Sequence, residues 1–286
     1  MHTFTAGGKT VTVFPAAEPD TPVMYLNTFG EEGQKVFDAL PAAPPLTLVS
    51  ISGLDWDRDM APWDGPAVFK NAAPFSDGAD DYLRLLTEEI LPTAERELPG
   101  APRWRGIAGY SLAGLFAVYA LYRTDAFTRA ASVSGSLWFP GFKEYVLSHP
   151  PIHRPDCVYF SLGDRESKTR NPVLQTVQEN TEAICASYRE QGIRTTFQLN
   201  PGGHHDQPAE RTATGIGWMA KEPTPRRWAG RDLLKGERTW YESSARMYCF
   251  WPGSPGPPRR TTCRWPPTCW RHCKPTPTAA WAWPPT

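Results

Sequence analysis

The order of apolar and polar positions divides residues 1–222 into short apolar runs separated by longer amphipathic stretches. "VMYLN" (23–27), "LTLVSIS" (46–52), "RGIAG" (105–109), "RAASVS" (129–134), "CVYFSLG" (157–163) and "TTFQLN" (195–200) read as strands. Several are apolar throughout rather than alternating, as expected when both faces of a parallel sheet are covered.

Helical periodicity fills the gaps. "SDGADDYLRLLTEEIL" puts Tyr82, Leu83, Leu86 and Ile90 on one face, with Ser76 or Asp77 as the expected cap. Pro92 is expected to kink or end this helix. "LAGLFAVYALYR" is a second helix. "NPVLQTVQENTEAICASYREQG" is a third, with Asn171 as cap, Pro172 in the first turn and Gly192 closing the end. Val173, Val177, Ile184 and Tyr188 line its apolar face. Strands alternating with helices predict an α/β fold with a mainly parallel sheet.

Charge separates this region from the rest. Residues 1–222 carry 19 Lys and Arg against 27 Asp and Glu, whereas residues 223–286 carry 11 against 3. That last stretch also holds 12 of 31 prolines, 7 of 12 tryptophans and 4 of 6 cysteines. Proline at this density removes backbone donors and forbids regular structure. The expected organisation is therefore one domain over 1–222 and a disordered Pro/Trp/Arg/Cys-rich tail over 223–286. Cys263, Cys269, His272 and Cys273 in the tail lack standard zinc-finger spacing, so no metal site is expected there.

The N-terminus lacks the basic and apolar regions of a signal peptide, and no stretch reaches 18 apolar residues. Cys157 and Cys185 are the only cysteines of residues 1–222, which fits a reducing setting. A cytoplasmic location with no membrane contact is expected, and no nucleic-acid partner.

The chemistry starts at Gly109-Tyr110-Ser111-Leu112-Ala113-Gly114, between a strand and a helix. A nucleophile elbow needs this context. The turn is tight, so its flanks must be small, and the serine Oγ is left exposed at a helix N-terminus. Ala113 replaces the usual last glycine, and smallness is what that position requires.

A serine nucleophile needs a base. "QLNPGGHHDQP" follows the last strand, and His204, first after the glycines, is the expected base, with His205 the alternative. The order serine, acid, histidine that accompanies this elbow points to "DRESKTRN" for the orienting carboxylate. Asp164 and Glu166 both qualify by spacing. Asp206 follows the histidine and is in the wrong order. An oxyanion hole needs two N–H donors. Leu112 supplies one, and Leu54, in the loop "GLDWDRDMAPW", is expected to supply the other.

"GYSLAGLFAVYA", "GLDWDRDMAPW", "SGSLWFPGF", "SLGDRESKTRNP" and "GGHH" together resemble the "Putative esterase" family of α/β hydrolases. That family includes enterobactin-type (trilactone) siderophore esterases, S-formylglutathione hydrolases, feruloyl esterases and mycolyltransferases. The resemblance covers about residues 1–222 and implies the α/β-hydrolase fold, with helices on both faces of the sheet. The G-x-R-E motif of the siderophore esterases supplies a glutamate as acid, and its match to Gly163–Glu166 implies Glu166. Some relatives work with a serine–histidine dyad.

The implied activity is hydrolysis of a small-molecule ester through an acyl-enzyme, which requires no metal or organic cofactor. Trp56, Trp63, Trp138 and Phe139 are candidates for an aromatic pocket suited to aryl acyl groups. Arg58, Arg165, Lys168 and Arg170 are candidates for attracting an anionic substrate, with Arg58 the expected contact beside Trp56 and Trp138. Acyl transfer to an alcohol on the same scaffold, or an inactive hydrolase-fold binding module, are the rival readings.

Overall fold

The computed structural model describes residues 1–68 and 72–223. The predicted tail, with its cysteines and histidine, lies outside the described residues apart from Pro223.

Eight strands form one sheet: β1 (His2–Ala6), β2 (Lys9–Phe14), β3 (Val23–Asn27), β4 (Thr47–Ser52), β5 (Arg105–Tyr110), β6 (Arg129–Val133), β7 (Cys157–Gly163) and β8 (Arg194–Asn200). The helices are α1 (Glu32–Ala39), α2 (Trp56–Asp59), α3 (Ala79–Leu85), α4 (Leu91–Glu95), α5 (Leu112–Ala120), α6 (Phe142–Ser148), α7 (Pro172–Gln175), α8 (Val177–Glu190) and α9 (Pro208–Lys221). The spatial order is β1-β2-β4-β3-β5-β6-β7-β8. Pairing is parallel from β4 through β8 and antiparallel where β2 joins β1 and β4. This is the mainly parallel α/β sheet that the apolar runs predict, in the α/β-hydrolase arrangement that the resemblance implies.

Successive residues of a strand face opposite sides, which divides the core in two. Val23, Tyr25, Ile107, Val158 and Phe160 pack on one side with α3, α5 and α8. Met24, Leu26, Ala108, Ala131 and Tyr159 pack on the other with Val36 of α1 and Ala213, Ile216 and Met219 of α9. α5 is buried on all sides, so it carries no polar stripe.

The β1–β2 hairpin was not among the predicted strands. Its strands alternate in exposure, and Gly7 and Gly8, both at positive φ, make the two-residue turn between Ala6 and Lys9. Ser76 and Asp77 do not cap α3, where Gly78 occupies the N-cap. Pro92 does not end the helical segment. A π turn over Leu86–Ile90, closed by the Leu91 N–H on the Leu86 carbonyl, lets the chain pass the proline and resume as α4. The third predicted helix is interrupted at Thr176 but starts as expected, with the Asn171 side chain accepting the Val173 and Leu174 N–H groups.

Candidate active site

β5, β6, β7 and β8 are consecutive neighbours, so the loops leaving their carboxyl ends share one edge of the sheet. Such an edge is where open α/β sheets bind ligands.

Ser111 follows β5 at φ 58°, ψ −123°, a strained conformation for a side chain with a Cβ. Its N–H is held by the Val133 carbonyl at 3.1 Å and its carbonyl by the Ser136 N–H at 3.0 Å. Small neighbours are mandatory here. A Cβ on Gly109 would stand 2.3 Å from the Ala113 backbone, and one on Gly114 would stand 3.0 Å from the Gly109 carbonyl oxygen.

His204 follows β8. Its Nε2 is 3.1 Å from Ser111 Oγ and its Nδ1 is 2.8 Å from Glu166 Oε2. With Nδ1–H donating to the carboxylate, Nε2 is left to accept the serine hydroxyl. Tyr110 donates its hydroxyl to the His204 carbonyl, fixing the loop from below.

Glu166 is buried, and Oε1 accepts the Ser134 hydroxyl at 2.7 Å and the Gly163 N–H at 2.5 Å. Burial by itself raises its pKa, but the hydrogen bonds from His204, Gly163 and Ser134 outweigh that and hold it below the usual glutamate value. Asp164 points elsewhere and accepts the Gly202 N–H at 2.8 Å. Asp206 accepts the Gly203 N–H at 2.7 Å and lies 3.4 Å from Arg165. The three carboxylates that share these loops thus do different things, and only Glu166 meets the imidazole.

Of the two expected backbone donors, neither the Leu112 nor the Leu54 N–H makes a hydrogen bond among the described residues, whereas the adjacent Asp55 N–H is taken by the Asp59 carboxylate at 2.9 Å. Lys9, the first residue of β2, pairs with the same carboxylate.

A cleft of about 550 Å³ opens over Ser111 and His204. Trp56, Phe75, Trp138, Leu112, Leu174 and Val177 supply its apolar wall, and Asp57, Arg165 and Thr169 lie among its polar groups. Trp56 and Trp138 are therefore where the sequence expects them. Arg58 is not in the cleft. It faces away to Asp81 at 3.2 Å and Asp59 at 3.6 Å, because α2 directs it toward the acidic start of α3. Trp63 and Phe139 pack against each other in the core, with the Trp63 indole N–H donating to the Pro140 carbonyl.

Sequence reasoning missed Ser134, Ser136, Tyr110 and Arg211. Ser136 Oγ lies 3.3 Å from Ser111 Oγ. "SGSLW" carried the signal for Ser134 and Ser136, directly after a strand next to the elbow strand. Arg211 is in α9, beyond any motif. Among the described residues no His, Cys, Asp and Glu group is arranged to hold a metal, and no helix is long and apolar enough to cross a membrane.

The family model described as "Putative esterase" matches residues 34–208. The chain belongs to this esterase family. It is 22% identical over 235 residues to the uncharacterized protein YbbA of Bacillus subtilis, covering 75% of this chain and 93% of YbbA. It is 27% identical over 139 residues to the ferri-bacillibactin esterase BesA of the same organism, covering 46% of this chain and 48% of BesA. The fold is shared with the IroE-like serine hydrolase from Shewanella oneidensis at a TM-score of 0.61 and 18% identity, over 74% of this chain and 76% of that one.

Proposed function

We propose that this protein is a serine hydrolase of small carboxylic esters that works through an acyl-enzyme, with siderophore-type or aryl esters as substrates. The observation that carries the reading is the unbroken line Ser111 Oγ–His204 Nε2 at 3.1 Å and His204 Nδ1–Glu166 Oε2 at 2.8 Å.

In this reading His204 takes the Ser111 proton as Oγ attacks the ester carbonyl carbon. The imidazolium that forms is stabilised by ionised Glu166. Leu112 N–H and Leu54 N–H stabilise the tetrahedral oxyanion, each such donor being worth about 10²–10³-fold in rate. The C–O bond breaks, His204 returns the proton to the leaving alcohol, and Ser111 keeps the acyl group. Water, deprotonated by His204, then attacks the acyl carbon, the bond to Ser111 Oγ breaks, His204 returns the proton to Oγ, and the acid is freed.

The aromatic wall of Trp56, Phe75 and Trp138 supports an aryl acyl group. The BesA resemblance supports a siderophore ester. Cys157 and Cys185 are free, buried thiols, which supports a reducing, cytoplasmic setting.

The test is a hydrolysis screen of a triscatecholate trilactone, its ferric complex, feruloyl esters and short p-nitrophenyl esters. Ser111→Ala should abolish every activity and fluorophosphonate labelling. Turnover that survives the substitution would sink the assignment.

A further inference from the structure

The relay groups come from the loops after β5, β7 and β8, yet a residue of α9 reaches two of those loops. Arg211 is 4% exposed. Its Nη1 donates to the Gly203 carbonyl at 2.9 Å and its Nη2 to the Pro201 carbonyl at 2.8 Å. Nη1 also lies 3.7 Å from Glu166 Oε1. A buried guanidinium is costly unless paired and hydrogen-bonded, and this one is both.

The chain geometry makes the reach possible. Gln207 sits at the N-cap of α9 at φ 54°, Pro208 begins the helix, and the Arg211 N–H closes the first turn on the Gln207 carbonyl. That turn brings the side chain back under the loop from which His204 projects.

We propose that Arg211 is a positioning residue of the reaction, its two-pronged grip fixing the His204 loop and its cation set against the far oxygen of Glu166. The inference rests on the reading of Ser111, His204 and Glu166 as a proton relay. Its two roles are separable. The bonds to Pro201 and Gly203 hold the backbone on both sides of Gly202, a glycine at φ 109°, and add a grip from α9 to the Asp164 and Tyr110 contacts on the same loop. The charge faces Oε1, the oxygen turned away from the imidazole. When His204 carries the serine proton, a carboxylate stabilised on its far side does not take that proton, so it stays available for the leaving alcohol. The other ionisable groups near Glu166 are His204 and Tyr110, while Arg165 and Asp206 pair with each other.

The experiment compares Arg211→Met and Arg211→Lys with the parent protein on a p-nitrophenyl aryl ester across pH, alongside Ser111 phosphonylation rates and circular dichroism. Arg211→Met should lower kcat by about 10–100-fold, the range seen when a group that orients a functional side chain at a metal site is removed, with KM nearly unchanged. The acid limb of its kcat profile should move to higher pH, because removing a cation beside the His204–Glu166 pair makes protonation of the imidazole easier. Arg211→Lys should return the acid limb toward the parent position but not the full kcat, because one ammonium cannot bridge both carbonyls as a planar fork does. Unchanged kcat and an unmoved acid limb in folded Arg211→Met would overturn the proposal, whatever happens to its melting temperature. If Arg211→Met does not fold, Arg211→Lys decides: lowered kcat supports the positioning role, and parental kcat overturns it. Ser111→Ala run in parallel separates the two levels. Turnover in that variant sinks the relay itself, whereas inactive Ser111→Ala beside fully active Arg211→Met sinks only the role of Arg211.

Discussion

The Asp164 carboxylate accepts the Gly202 N–H at 2.8 Å, two residues along the chain from the glutamate that meets His204. Neighbours in sequence are thereby split into a loop staple and a relay acid. Glu166→Gln should lower kcat by up to about 10⁴-fold, as expected when the imidazole loses the anion that sets its tautomer. Asp164→Ala should cost about 1 kcal/mol of stability, the worth of one hydrogen bond, with a far smaller loss of kcat. Kinetics and thermal melts of both variants check this, and equal losses of kcat would refute the division.

Acid stability should carry the mark of Glu166. Its folded pKa lies below the ordinary value of 4.5, so ionisation favours the folded state. That contribution is complete above the ordinary value and is lost as pH falls through the lower folded one. Melting temperature measured from about pH 6 down to about pH 3 should therefore fall less steeply in Glu166→Gln than in the parent.

Gly109 tolerates no side chain. Its added Cβ would lie 2.3 Å from the Ala113 carbonyl oxygen and backbone carbon. Gly109→Ala should destabilise by about 1–3 kcal/mol, as overpacking does, and should slow phosphonylation of Ser111 by displacing the elbow. Parental labelling rates would show that the elbow is not tight.

The Lys9–Asp59 pair should be felt in the oxyanion loop. Asp59 is buried and also holds the Asp55 N–H, next to Leu54. Lys9→Met leaves that carboxylate without its main cation, a change that costs about 3–5 kcal/mol at buried pairs. Denaturant titration should show the loss, and folded enzyme should have lower kcat with little change in KM.

Trp56→Ala should raise KM for aryl esters more than for acetyl esters, because the ring lines the cleft beside Ser111. Aromatic contacts contribute about 0.5–1.5 kcal/mol beyond burial, which is up to roughly tenfold in KM. Paired kinetics on p-nitrophenyl acetate and a feruloyl ester measure the difference.

β3 to β7 were legible because burial on both faces writes a largely apolar run, whereas β8 is partly exposed and has only Phe197 and Leu199 as apolar residues. The β1–β2 hairpin was legible in principle, since "TAGGKT" joins two alternating segments through Gly-Gly. Ser111 and His204 stood out because glycines flank them at strand ends. Spacing alone could not separate Glu166 from Asp164, since the difference lies in which way each side chain turns after the same strand. Arg58 misled because its loop is right but its partners, Asp59 and Asp81, are not visible in a linear motif. Arg211 left no signal at all, because its meaning depends on how α9 folds back under the His204 loop.

Among the described residues β8 is the last strand of the sheet, paired on one side by β7, and much of it is exposed. Strands of this kind open before the interior does. His204 hangs from the end of β8, while Ser111 is rooted next to α5 in the middle of the core. Gentle denaturation should therefore separate the two partners without melting the protein, so that turnover disappears while intrinsic fluorescence still reports a native interior. The edge of the sheet acts as a fuse for the chemistry.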